Sequence, residues 1–334
     1  LYITFVHSIT GGTTTVDKTI PYAVTKNGTY TFTVTGTVNG KSYTKNVSVT
    51  VNQFKDVYEY MQENTKVTYL DGDVWIPKGF RVSTDAAETV QGGIVVEDKD
   101  LNQFVWIPVV TISDYKRTWY KGYPSFSLYS ETLPSDEKNS VETYKGFYIG
   151  RYEAGDKENT ENKTLRETTD VTKSITIKAN QTPYTCVTRT QAKSLAEDFD
   201  TKQGYSAITK LVSSYAWDTT IVFLQKVVND YGSNSPQGNY DDVNSFDYVD
   251  INGDKQNGKG VLMPTGQTVP ICNIYDMGGN VFEWTTENVS FNDSPCSYRG
   301  GAYNFSYTDY AAGERSGSVD KSFTNIGFRI TLFL

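Results

Sequence analysis

Few side chains in this sequence are equipped for chemistry, and most of those are poorly spaced for it. The 334 residues hold one histidine, His7, near the start of the chain. A single imidazole excludes most Ser-His-Asp and Cys-His relays and His-clustered metal sites, which need His beside a nucleophile or beside further ligands. The three cysteines, Cys186, Cys272 and Cys296, form no Cys-x-x-Cys pair and are odd in number. They point to neither a disulfide scaffold nor a zinc site, although one pair is still able to bridge. Asp250-Ile251-Asn252-Gly253-Asp254 spaces oxygen donors at i, i+2 and i+4. It lacks the Gly after the third ligand and the Glu at position twelve of an EF-hand loop, so a solvated turn is expected.

Charge and length narrow the partners. Thirty-one basic against thirty-nine acidic residues leave a formal charge of −8, which argues against nucleic acid or an anionic membrane, since phosphate-rich surfaces recruit Lys/Arg patches. No apolar run of about 18 residues is present, so no membrane insertion is expected. The chain begins at Leu1 with neither an initiator Met nor a signal-peptide pattern, as a processed or trimmed fragment would. At 37% apolar and 21% charged the composition is globular, and the length suits about two domains. There are 25 Tyr, 16 Phe and 5 Trp, a share that fits either an extracellular recognition surface or simply a β-rich fold.

The elements fall into two blocks. Residues 1–52 read as short alternating strands, with Tyr30 to Thr35 and Tyr43 to Val51 at period 2 and Asn39-Gly40 supplying a tight hairpin. Residues 53–66 read as a charged linker, with a short helix over 55–66. From 67 to 334 short strands and long Gly/Ser/Asn loops surround two helices. One is expected over Thr188–Asp200, opened by a Thr188/Gln191 capping box, and one over Ala207–Asp230. Two helices among many strands, without strict strand–helix alternation, is an α+β pattern.

Three ordered pieces of the last third carry a resemblance: Asn273-Ile274-Tyr275-Asp276-Met277-Gly278-Gly279-Asn280-Val281-Phe282-Glu283-Trp284, then Arg299-Gly300-Gly301-Ala302-Tyr303, then Asn325-Ile326-Gly327-Phe328-Arg329. Upstream, Phe104 to Val109 and Gly146 to Ala154 look like opening strands of the same family. Residues 67–334 thus resemble the formylglycine-generating enzymes, whose fold is a variant of the C-type lectin fold. Residues 1–52 resemble bacterial immunoglobulin-like modules, which usually serve as spacers. The resemblance implies scaffold roles for Phe282 and Trp284 as buried anchors and for Arg329 as partner of a buried carboxylate or of carbonyls.

Its catalytic implication fails in the sequence. Catalytic members carry two cysteines five residues apart just before an Ala-Ala-Arg stretch and use copper. Here Phe305 and Tyr310 stand in those places, before Ala311-Ala312, and a ring cannot ligate Cu(I) as a thiolate does. The iron-dependent relatives need a histidine cluster that is absent too. The expectation is therefore a non-enzyme, without copper or zinc. The family's calcium loop maps onto the Asp276 carboxylate, the backbone oxygens of Gly279 and Val281 and the Glu283 carboxylate, with Glu283 capping backbone amides as the metal-free alternative.

A second branch of the fold, the variable proteins of diversity-generating retroelements, displays ligand-binding residues between the Arg-Gly-Gly and Gly-Phe-Arg segments. By that resemblance Tyr303, Asn304, Ser306, Tyr307, Asp309, Tyr310, Glu314, Ser316, Ser318, Asp320 and Phe323 are the expected contact residues, a paratope-like mixture of Tyr, Ser, Asn and Asp. Phe305 and Phe323 are the rings most apt to pack inward instead. The implied partner is a protein epitope or surface polymer on a target cell, and the implied location is extracellular, on a phage virion or bacterial surface, with a homo-oligomer admissible. The alternatives are a structural or decoration protein of such an assembly and, less favoured, a formylglycine-generating-like oxidase.

Overall fold

The computed structural model describes residues 2–24, 26–51, 56–122, 125–157, 169, 171, 174–243, 247–249, 253–258, 260–291, 293 and 295–334. The chain divides into two compact units, Leu1–Glu59 and Tyr60–Leu334.

The first unit holds β1 (Tyr2–Ile3), β2 (Thr13–Val16), β3 (Tyr22–Ala23), β4 (Gly28–Val38) and β5 (Lys41–Val51). β2, β4 and β5 form an antiparallel sheet in that order, and β1 pairs β3. Asn39 and Gly40 have φ of 48° and 76°, the left-handed pair that a two-residue hairpin with matching twist demands. Alternation puts Phe32 on one face, buried against the rings of Phe5 and Tyr22 with Val24 and Ile3. The opposite face is a carpet of hydroxyls, with Thr31 meeting Ser48 at 2.9 Å and Thr29 meeting Thr50 at 3.1 Å.

The second unit runs β6 (Thr65–Tyr69), β7 (Gly72–Ile76), β8 (Arg81–Val82), β9 (Val95–Glu97), β10 (Gln103–Pro108), β11 (Lys121–Gly122), β12 (Tyr129–Ser130), α1 (Ser135–Tyr144), β13 (Gly146–Gly150), β14 (Gly155–Asp156) and β15 (Ile175–Thr176). It continues through α2 (Arg189–Glu197), α3 (Phe199–Gln203), β16 (Ile208–Leu211), α4 (Ser214–Leu224), β17 (Asp247–Val249), β18 (Lys255–Asn257), β19 (Phe282–Val289), β20 (Cys296–Arg299), β21 (Glu314–Ser318), β22 (Ile326–Phe328) and β23 (Ile330–Phe333). One sheet has the order β16-β23-β13-β10-β9-β8; the other has the order β11-β21-β20-β19-β12, with β22 beside β19. The chain's last strand thus lies inside the first sheet, between β16 and β13. This is a mixed α/β structure, mostly sheet with few helices. Its main core joins Val105, Ile107, Phe147, Ile149 and Phe333 of the first sheet to Trp217, Ile221 and Leu224 of α4.

Several local expectations shift. The capping box opens α2 as read: the Thr188 hydroxyl accepts from the Gln191 amide at 3.1 Å, and the Gln191 side chain accepts from the Thr188 amide at 3.0 Å. The long helix over 207–230 is corrected to a strand followed by a helix. Ile208–Leu211 pairs with β23 along its whole length, and Ser213 then caps α4 by accepting from the Ala216 amide. A ladder partner supplied by the distant C-terminus overrides the helical spacing. Residues 56–64 form turns and irregular backbone rather than a helix, and β6 begins at Thr65. Helix α1 went unread; its signals are Pro134 followed by an acidic first turn of Asp136 and Glu137. Cys186, Cys272 and Cys296 are buried and none is in a disulfide, so the bridge that the sequence left open does not form.

Candidate functional site

The candidate face is carried on β19, β20 and β21 and the loops that join them. Its floor is aromatic. Trp284 is fully buried, its indole N–H donating to the Val187 carbonyl at 2.9 Å, and Phe282 is 3% exposed. The last strand is locked below them by Arg329, which meets both oxygens of Glu283 at 2.8–3.1 Å and donates to the carbonyls of Gly150 and Tyr275. This is the buried carboxylate-plus-carbonyl role expected of Arg329.

Phe305 and Tyr310, the rings in the family's thiol places, touch each other. Their centroids lie 4.8 Å apart at 68°, and both meet Phe282 edge-on, at 5.2 and 5.4 Å. Tyr298 continues the row between Phe282 and Trp284, and Phe323 leans on Trp284 at 6.2 Å. Phe305, Tyr310, Tyr298 and Phe323 are each half-buried. One edge of each ring anchors to the floor while part of its surface faces water. Edge-to-face pairs of this kind add roughly 0.5–1.5 kcal/mol each beyond area burial.

The backbone makes this apposition possible. Gly301 has φ of +77°, and a Cβ there would stand 2.2 Å from the Tyr310 carbonyl, so the loop closes on a position only glycine can fill. The Tyr303 amide donates to the Asn280 carbonyl, and the Asp241 amide to that of Phe305. Asp242 shapes the tip by accepting from the Ser306 hydroxyl and the Tyr307 amide. The Tyr307 ring packs on buried Tyr240 and lines a hollow of about 490 Å³ with Pro236, Gln237, Gly238, Asp242, Val243 and Val269.

Most of the expected contact residues gather on this surface. Asn304, Asp309 and Asp320 are exposed; Tyr303, Ser306, Tyr307, Tyr310, Ser316, Ser318 and Phe323 are half-exposed. Several have partners inside the fold, and Asn304 accepts from the Asn325 side-chain amide at 3.4 Å. Ser306 is held by Asp242, and Asp320 accepts from the Thr190 amide and hydroxyl at the start of α2. Glu314 is a correction: it is 6% exposed. At this point the chain dives inward, with Ala311 and Ala312 buried and the Ala312 carbonyl taking the Trp217 indole N–H.

The dive is fastened by buried charge that the sequence reading missed. Arg315 and Arg299 share Asp218, each using one of its oxygens. Arg315 also meets Glu287, which in turn takes Arg117. Arg299, Arg315, Asp218 and Glu287 are all fully buried. The alternation of cations and anions lets four charges stay out of water. A second missed residue is Glu153, which accepts from the Asn280 amide group at 2.7 Å and the Val281 backbone at 3.1 Å. Burial pushes its carboxyl well up, helped by repulsion from Asp276 and Glu283.

The two carboxylates of the expected calcium loop have donors within the chain, and the amides of Gly279 and Val281, though among the described residues not their carbonyls, are engaged as well. Asp276 accepts from the Thr268 hydroxyl at 2.6 Å and the Gly266 amide at 2.9 Å. The Gly279 amide donates to the Gly300 carbonyl, and the Val281 amide is the one that Glu153 holds. Glu283 caps a guanidinium rather than backbone amides. A Ca²⁺ ion here would share Glu283 with Arg329; the two carboxylates as arranged fit a guanidinium and a hydroxyl–amide pair. Among the described residues no group of three or more His, Cys, Asp or Glu is gathered to hold a metal. Residues 250–252 of the other acidic loop lie outside the described residues.

With Phe282, Glu283, Trp284, Arg299 and Arg329 in this arrangement, residues 9–332 match the model of the sulfatase-modifying factor enzyme 1-like domain. The chain belongs to that family. The match reaches further toward the N-terminus than the 67–334 stretch that carries the resemblance, and the sheet-rich architecture is consistent with the family's C-type-lectin-like fold. No curated protein matches. Among solved structures, PvdO from Pseudomonas aeruginosa has a TM-score of 0.41 at 16% identity, over 72% of this chain and 98% of that one. Treponema denticola variable protein 1 has a TM-score of 0.38 at 13% identity, over 70% and 96%. CarF has 0.35 at 16%, over 46% and 67%. Among the described residues of this family member no helix is long and apolar enough to cross a membrane.

Proposed function

We propose that this member of the sulfatase-modifying factor enzyme 1-like family is a non-catalytic binding protein whose ligand face is the 303–325 segment. In this reading it is a receptor-binding protein of a phage virion or bacterial surface, of the retroelement-diversified kind, and its first unit is an immunoglobulin-like spacer. The partner is a protein epitope or surface polymer on the target cell. One observation carries it: the Phe305 and Tyr310 rings stand in contact, half-exposed, where catalytic relatives are expected to hold their thiols. Rings that are rigid, amphipathic and anchored on one edge offer contact area at low entropic cost, and Asn304 and Asp309 beside them offer adaptable polar contacts.

A decoration protein is the second reading, and the internal bonds of Ser306 and Asp320 favour it, since they spend polar groups on the fold. One experiment separates the two. Residues 303–310 are shuffled, and binding to a panel of bacterial cells is measured beside the melting temperature. Lost binding with unchanged melting supports display. Unchanged binding sinks it.

A further inference from the structure

We propose that β5 is a dimerisation edge, pairing antiparallel with β5 of a second copy about a two-fold axis through Asn46. This is independent of the ligand face. Within its sheet β5 is terminal: β4 pairs it along all eleven residues from Lys41 to Val51, and no other strand pairs it among the described residues. Natural edges are usually shortened, bulged, charged or interrupted by proline, because unpaired N–H and C=O groups recruit strands; the charges of β5 are Lys41 and Lys45. This one is long, unbulged in its pairing with β4, and free of proline.

The direction of its backbone groups follows from β4. Thr33 donates its N–H to the Asp17 carboxylate and accepts the Asp17 N–H on its carbonyl, on the β2 side. Opposed residues of an antiparallel pair either exchange both bonds or point both away. Asn46, opposite Thr33, therefore points its N–H and C=O to the free edge. By alternation so do Ser42, Thr44, Ser48 and Thr50.

A two-fold at Asn46 uses the whole strand, because 46 is the midpoint of 41 and 51. It places Lys41 against Val51, Ser42 against Thr50, Tyr43 against Val49, Thr44 against Ser48 and Lys45 against Val47. No charge faces a like charge directly; the two Lys45 are diagonal neighbours, roughly 7–8 Å apart, and can splay into water. Hydroxyls meet hydroxyls, as they already do between β4 and β5. Tyr43, 58% exposed on the Phe32 side of the sheet, gains a β-branched neighbour. Moving the axis to Lys45 sets lysine against lysine, and moving it to Thr44 leaves only residues 41–47 paired. The self-complementarity selects a second copy as the occupant.

The test is the mass of the full chain by sedimentation and light scattering, with Asn46→Cys under mild oxidation. Edge pairing buries less than a standard interface, so dimers are expected at about 10–100 µM. Asn46→Cys is expected to cross-link to itself, the three native thiols being buried. Thr44→Pro deletes an outward N–H and none of the bonds to β4, so it is expected to abolish both dimer and cross-link. Asn46→Lys, which sets two lysines on the axis, is expected to do the same and serves if Thr44→Pro misfolds. A monomer throughout this range, a dimer indifferent to both edge variants, or self-cross-linking by Thr44→Cys but not Asn46→Cys would overturn the proposal.

Discussion

The Phe305 ring stands edge-to-face on the Tyr310 ring with centroids 4.8 Å apart, and both rest on Phe282. The pair bridges a tight loop whose ends are fixed by Gly301 and by the inward turn at Ala311 and Ala312. Shape and partial exposure therefore come from the same contacts, which hold the rings half-buried rather than collapsed into the core.

Asp218 is the linchpin beneath that loop. Asp218→Asn removes the carboxylate shared by Arg299 and Arg315 and is expected to cost about 3–5 kcal/mol, the usual result of leaving buried charge under-compensated. Urea denaturation checks it. A loss below about 1 kcal/mol would mean that water reaches the network.

Asp320 separates fold from ligand. It accepts from Thr190 at the start of α2, so Asp320→Ala is expected to lower stability by about 1 kcal/mol, as loss of a helix cap does. If Asp320 serves the fold alone, binding should stay within about twofold, a change of roughly 0.4 kcal/mol. Binding lost without any change in melting would support Asp320 as a contact residue instead.

Stability is expected to fall as pH rises from 5 to 8. Burial, with repulsion from Glu287 and Glu137, outweighs the donors on Glu131 and pushes its carboxyl up to about 7. A raised acid holds its proton more tightly in the folded state. Its contribution is complete below the ordinary value of 4.5 and is lost as pH passes through about 7, up to roughly 3 kcal/mol. Burial also raises Glu137, Glu153 and Asp276, which act with the same sign. Asp17, Asp71, Asp73 and Asp136 are lowered, and their contributions are lost only in more acid solution. Denaturation midpoints at pH 5 and pH 8, with Glu131→Gln narrowing the gap, test this. A higher midpoint at pH 8 would contradict it.

Because Asp276 and Glu283 already have donors within the chain, saturating Ca²⁺ in place of a chelator is expected to raise the melting temperature by less than about 1 °C. A rise of several degrees would put an ion at the loop.

What the sequence made legible is what it encodes locally or through strong residue types. The Asn39-Gly40 hairpin and the Thr188 cap follow from short-range pattern, whereas the buried Trp284 and the carboxylate partner of Arg329 came through the family resemblance of their motifs. What escaped it depends on distant partners. Ile208–Leu211 carries helical spacing yet becomes a strand because the last residues of the chain lie beside it. Glu314 precedes a Ser/Gly run that reads as exposed in the sequence, yet it lies in the buried stretch 311–315, where Arg315 reaches Asp218 and Glu287. Glu153 gave no local signal, since the amides it holds lie more than a hundred residues away.

The most direct measurement is the affinity of Tyr307→Ala/Tyr310→Ala for target cells, taken beside its thermal midpoint. A fall of at least about tenfold, with the midpoint moved by no more than a few degrees, is the predicted result, as for loss of an anchoring ring from a binding surface. Undiminished binding, or a collapse of the fold that accounts for any loss, would contradict the claim that these rings are a face presented to a partner.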